Sequence, residues 1–171
     1  MNNSFETCCA FTLLQEGGFC NVQGDPGGAT NHGVTIGELG AVLGHPATLQ
    51  DIQNLTTEQA EAIYKPNYWD TLNGDLLPSG VNLVVFDFGV TAGWKKSAEL
   101  LQGALDVNID GQIGPVTCKA LATYPAKALV NLLTYSHLTY YQSLPGWNQF
   151  GKGWQARALR CQVMALSMCR D

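Results

Sequence analysis

Only one part of the chain, Phe19 to Val34, offers a convincing β-hairpin; almost everything else carries helix signals. This limits the fold more tightly than composition does. A lone hairpin cannot form a stable sheet core, so the remaining apolar surface has to be buried by helices packing on helices. Asn3 or Ser4 can cap a first helix, with Glu6 placed three residues after Asn3 to complete a capping box. Phe5, Cys8, Cys9, Thr12, Leu13 and Glu16 then share one face at helical spacing, and Gly17-Gly18 stops the helix. Thr35 and Glu38 form a second capping box and open a short helix to about Leu43. Thr48, with Asp51 at the third position, starts another helical turn. Thr56 and Thr57 open a helix toward Tyr64, with Pro66 at its end.

The run "SGVNLVVFDFGVTAG" reads equally as a buried strand or as a helix apolar on nearly every side. Few other strands are available to pair with it, so a buried central helix is expected. "WKKSAELLQGAL" is a clean amphipathic helix. Pro115 opens a helix as a first-position proline. Pro125 closes that helix and starts a longer one to about Ser143. Pro145-Gly146 breaks the chain again, and a last helix is expected from about Trp154 to Cys169. No internal repeat, low-complexity tract or linker interrupts this pattern. The fold expected is mainly α, with a single core over residues 1–171 and a small β-hairpin or irregular loop near residues 18–34.

The 171-residue length suits one domain with a real core. Charged residues are only 13% and the net charge is −5, which argues against nucleic acid or an anionic membrane as a general partner. No apolar run is long enough to span a bilayer. The N-terminus lacks a basic region and a small-residue cleavage site, so a standard signal peptide is not expected. The six cysteines contain no CxxC pair, which disfavours a zinc ribbon or a thioredoxin-type site. Free thiols used as small core residues are expected. The oxidised alternative is a bridge from Cys8 or Cys9 to Cys161 or Cys169.

Glu16 lies on the apolar stripe of the first helix, at its C-terminal end. Burial and the negative end of the helix dipole both disfavour its charged form, as a general acid requires. The plain alternative is a solvated glutamate on a frayed last turn. Asp25 follows in "GDPGGAT", where Asp-Pro-Gly-Gly also suits a simple turn, and Thr30 closes that segment. An acid, a second carboxylate and a hydroxyl suit glycoside hydrolysis.

Glu-Gly-Gly-Phe followed by Asp-Pro-Gly-Gly-Ala-Thr-Asn-His-Gly-Val-Thr resembles the signature of glycoside hydrolase family 108. Its members are N-acetylmuramidases, typified by bacteriophage endolysins and by bacterial proteins once called secretion activators. The later "FDFGVTAGWKKSAELLQGAL", "DGQIGPVT" and "GWQARALRC" resemble the second region of that family, often labelled peptidoglycan-binding. The resemblance implies a lysozyme-like helical fold, with residues 1–90 as the catalytic part and residues 91–171 as a peptidoglycan-binding-like part in the same core. It maps the catalytic acid to Glu16 and its assistants to Asp25 and Thr30, with Thr35 as a substitute for Thr30 or a simple helix cap. The implied substrate is the peptidoglycan glycan strand, cut between N-acetylmuramic acid and N-acetylglucosamine, with no metal or cofactor and with a monomeric enzyme. Family members often carry asparagine near Thr91, which is here a shorter-reaching substrate-contact candidate.

Tyr68 and Trp69 are candidate sugar platforms, or equally core anchors. Trp94 and Trp154 are expected to be structural. Asp87 sits in an apolar run and needs a partner, for which Arg157 or a backbone cap would serve, with lining of the cleft as second choice. His32 is expected in a loop near the cleft, as a substrate contact. "DVNIDGQIG" starts like a calcium loop but has Thr117 where a bidentate glutamate belongs, so a calcium site is rejected. His32, His45 and His137 are too scattered for a zinc amidase. Cys20 follows a helix end, which suits a cysteine nucleophile poorly. The rival functions are a non-catalytic peptidoglycan-binding module and a bacterial effector aimed at the cell wall. Synthesis in the bacterial cytoplasm followed by holin-type release to the periplasm fits the N-terminus.

Overall fold

A computed structural model describes residues 4–21 and 28–170 of the chain. The fold is mainly α and lysozyme-like: 69% of the described residues are helical, with one small antiparallel sheet among them. The described residues fall into two compact units, residues 9–67 and the chain from Tyr68 onward together with the helical residues up to Cys8.

Helix α1 (Ser4–Gln15) contributes to both units. Phe5, Cys8, Cys9, Thr12 and Leu13 are all buried, which is the face that the spacing predicts. In the first unit, strands β1 (Thr30–Asn31) and β2 (Val34–Thr35) form a hairpin with Thr30 opposite Thr35 and Asn31 opposite Val34. Its two-residue loop has φ of 50° at His32 and 74° at Gly33. Positive φ at both central residues is the turn whose twist matches paired strands, and glycine adopts it without a Cβ penalty. Cys20 pairs with Thr30 on the other edge of β1. Among the described residues the hairpin occupies the end of the expected segment and reaches one residue past it, while Asp25 lies outside the described residues.

Each of the next three helices begins at a threonine whose hydroxyl accepts from the third residue's N–H, while that residue's side chain bonds back. These are α2 (Ile36–Leu43), α3 (Leu49–Gln53) and α4 (Thr57–Tyr64), with Glu38, Asp51 and Gln59 as the returning partners. The reciprocal bonds satisfy backbone donors that a helix start leaves open. Pro66 does not end the winding, as the sequence suggests. The chain continues as a π-helical segment over Lys65–Asp70, a wider turn that absorbs the missing proline N–H.

In the second unit, α5 (Val81–Ala92) is buried at every residue from Val81 to Gly89. It packs on α6 (Trp94–Ala104), α8 (Ala126–Gln142) and α9 (Trp147–Met168); α7 (Pro115–Leu121) begins with its proline as expected. A helix surrounded by helices explains the apolar run that sequence periodicity left ambiguous. Its buried polar groups are matched. Asn82 Oδ1 accepts from the N–H of Gly80 and Leu83, and Ser97 Oγ donates to the Val85 carbonyl at 2.6 Å. Buried Gln102 organises the "DGQ" loop, accepting from the N–H of Asp110 and Gly111 and donating to Asp110 Oδ1 at 2.7 Å.

Helix α9 starts at Trp147, seven residues before its expected start at Trp154. The glycines in "WNQFGKGW" argue against helix, yet a Cβ on buried Gly151 would collide with the Trp147 ring. Close ring packing at that glycine outweighs its poor helix propensity.

Candidate active site

The last backbone bond of α1 runs from Glu16 N–H to the Thr12 carbonyl, at 3.1 Å. Glu16 is thus held by the final helical turn, and it is half-buried. Gly17 and Gly18 follow, both exposed. The Gly17 carbonyl accepts from His32 N–H at 3.1 Å, which ties the hairpin loop to the residue after Glu16. The His32 carbonyl in turn accepts from the Tyr64 hydroxyl at 2.8 Å. Gly33 completes the contact: a Cβ there would lie 2.9 Å from Glu16 Oε2 and would also run into the Tyr64 hydroxyl. The Glu16 carboxyl therefore rests against the bare face of the hairpin loop.

Thr30 stands on the same hairpin. Its N–H and C=O both pair with Cys20 at 2.8 Å. Along the strands the buried residues are Asn31 and Val34, while Thr30 and Thr35 are half-exposed on the opposite face. Thr35 is occupied by its cap: its hydroxyl bonds Glu38 Oε2 at 2.8 Å and accepts from Glu38 N–H at 3.2 Å. Asn31 turns inward, and its amide donates to the carbonyls of Ile52 and Gln53 at 3.0 and 3.2 Å. The structure thus gathers Glu16, Thr30 and His32 in one unit.

The candidates Tyr68, Trp69, Asp87 and Thr91 belong to the second unit. Trp69 is corrected to a core residue. It is 1% exposed, packs edge-on with Phe5 and Phe86, has Gly74 against its ring, and donates from Nε1 to Asp75 at 3.1 Å. No ring face is left for a sugar. Asp87 is likewise structural. At 4% exposure it holds Arg157 through two bonds, Nη2 to Oδ1 at 2.8 Å and Nε to Oδ2 at 3.1 Å. This is the partner its burial requires. Thr91 Oγ1 bonds the carbonyls of Phe88 and Asp87 and shares a 2.8 Å bond with the Tyr141 hydroxyl. Burial pushes that phenol up to about 12. Tyr68 is half-buried in the π-helical segment. Trp94, expected to be structural, is 39% exposed.

Val84, Asp87, Phe88, Thr134, His137, Tyr141, Ala158 and Cys161 line a small enclosed cavity. His137 is 4% exposed and stacks on Phe88 at 3.7 Å, and its Nε2 has no hydrogen-bond partner among the described residues. Burial drives its pKa down to about 3. Burial also raises the thiols of Cys9, to about 12, and Cys161, so both act as inert core residues.

Residues 9–93 match the family model for glycosyl hydrolase 108. The solved structure of SagA from Brucella abortus is 34% identical, over 100% of this chain and 98% of that one, with a TM-score of 0.87. The chain belongs to glycosyl hydrolase family 108. No match is found among curated protein sequences.

Family membership makes the chain a glycoside hydrolase, and the matched stretch includes Glu16, the hairpin and Tyr64. Sequence reading of this family 108 hydrolase missed three residues of the site. Gly33 was open to detection, since His-Gly between two strand-forming residues suits a two-residue turn. Asn31 alternates with half-exposed Thr30, a weaker sign of inward direction. Tyr64 carries no local signal, because its partner lies 32 residues away.

Proposed function

We propose that the chain is an N-acetylmuramidase that hydrolyses the β-1,4 bond between N-acetylmuramic acid and N-acetylglucosamine in peptidoglycan, with Glu16 as proton donor. The observation that carries this reading is the placement of the Glu16 carboxyl: half-buried at the end of α1 and packed against the hairpin loop, within the family match. Glu16 gives its proton to the glycosidic oxygen as the bond to the N-acetylmuramic acid C1 breaks. Water supplies the hydroxyl that completes C1, leaving a reducing end, and its remaining proton returns through solvent to the Glu16 carboxylate. Thr30, on the half-exposed face of the hairpin, helps to place that water, and Asp25 assists by orienting it or by offsetting positive charge on the sugar. His32, Tyr68 and Thr91 contact the glycan. Residues 1–90 supply the chemistry and residues 91–171 help to hold the strand, in a monomer that needs no cofactor.

The biological role proposed is lysis of the bacterial wall by a phage or prophage endolysin reaching the periplasm through holin-type pores. A holin gene beside this one is the observation that checks that role. The chemistry is tested with purified cell walls. Wild type clears them and releases reducing N-acetylmuramic acid ends by mass spectrometry, while Glu16→Gln does not. A Glu16→Gln variant that clears walls at the wild-type rate removes Glu16 from the mechanism. Sedimentation of both proteins with intact walls, and no lysis by either, would leave a binding module instead.

A further inference from the structure

We propose that Tyr64 is a positioning residue for the Glu16 carboxyl, acting through the hairpin loop; this rests on Glu16 being the proton donor. Tyr64 ends α4 and is 2% exposed. Its hydroxyl reaches back along the chain to donate to the His32 carbonyl at 2.8 Å. The N–H of the same residue donates to the Gly17 carbonyl at 3.1 Å. One loop residue is therefore pinned on both sides, by the phenol of α4 and by the backbone just beyond Glu16.

Gly33 shows what this pinning does. A methyl group there would meet the Tyr64 hydroxyl and would sit 2.9 Å from Glu16 Oε2 and 3.0 Å from its carboxyl carbon. Phenol oxygen, carboxyl and Gly33 Cα thus border a space smaller than one methyl group. The carboxyl cannot shift toward the loop, and the loop cannot shift away without breaking the phenol bond. A general acid must stay within hydrogen-bond reach of the oxygen it protonates, so small displacements are felt in turnover. Tyr64 does not have to touch the sugar to control that distance.

The test uses the full chain with soluble glycan-strand fragments, scoring new reducing ends. Tyr64→Phe keeps the buried ring and removes the hydroxyl, and with it the bond to His32. It is expected to lower kcat by about 10- to 100-fold, with KM within about twofold of wild type and the circular dichroism spectrum unchanged. Gly33→Ala is expected to lower kcat as well, and in the Tyr64→Phe background its further loss should be smaller than alone, because the methyl no longer meets the phenol oxygen. Wild-type kcat in Tyr64→Phe, with Glu16→Gln inactive, overturns the role of Tyr64 and leaves that of Glu16 standing. Equal losses through KM and a lost helical signal overturn it in favour of simple structural support. Activity in Glu16→Gln overturns both readings together.

Discussion

Arg157 grips both carboxylate oxygens of Asp87 inside the helical unit, joining α9 to the buried α5 through two bonds of 2.8 and 3.1 Å. With side chains only 14% and 6% exposed, neither charge can fall back on water when the other is removed. Asp87→Ala is expected to cost about 3–5 kcal/mol, since it takes the carboxylate from a largely buried guanidinium. Replacing both residues by apolar side chains of similar volume should cost much less. Urea unfolding of the single and double variants checks this, and a double variant as unstable as Asp87→Ala would contradict it.

Acid sensitivity should trace to His137. Burial lowers its pKa from 6.5 to about 3. Above pH 6.5 the ring is neutral in both folded and unfolded chains and contributes nothing. As pH falls below 6.5 the unfolded chain binds a proton that the folded chain refuses, so stability declines until about pH 3. The full effect is about a few kcal/mol. His137→Phe preserves the stack on Phe88 and is expected to remove this decline. The comparison is unfolding free energy at pH 7.5, 5.5 and 4, where carboxylate effects common to both proteins cancel.

The hairpin hangs from α3 by Asn31. Asn31→Ala leaves a cavity and removes the two amide bonds to the carbonyls of Ile52 and Gln53, at about 1–3 kcal/mol. Because the same hairpin carries Thr30 and Gly33, turnover should fall even at temperatures where the variant remains folded. Full activity in a variant with a clearly lowered melting temperature would separate hairpin anchoring from catalysis.

Neighbouring aromatics Tyr68 and Trp69 should respond in opposite ways. Trp69→Ala empties a core site shared with Phe5 and Phe86 and is expected to cost about 3–5 kcal/mol. Tyr68→Ala should barely change the melting temperature and should raise KM for glycan fragments. An unchanged KM would remove Tyr68 from the substrate contacts.

Most of the helices were legible because their signals are local. Thr35, Thr48 and Thr56 each mark a helix start within four residues, and Pro115 does the same. The start of α9 was missed because Gly151 is read as a helix breaker unless the Trp147 ring packed on it is seen. Glu16 was legible as the carboxylate closing an apolar stripe. So was the need of Asp87 for a buried partner, with Arg157 offered first, whereas Trp69 was not, because an aromatic in an apolar run looks the same whether it faces a core partner or a cleft. Tyr64 was invisible for the same reason in reverse: its apolar ring explains its position in α4, and only the fold reveals where its hydroxyl goes.

Helix α3 has five residues, too few to persist in water by itself. Its last carbonyls receive the Asn31 amide, so hairpin and helix should open as one cooperative unit. In native-state hydrogen exchange, the amides of Cys20 and Thr30, which pair along the hairpin edge, should share one protection factor with Ile52 and Asn54 in α3 and its cap. The surroundings of Glu16 are then as durable as this short helix, and with Glu16 as the proposed proton donor, local opening there silences the enzyme well before the chain unfolds.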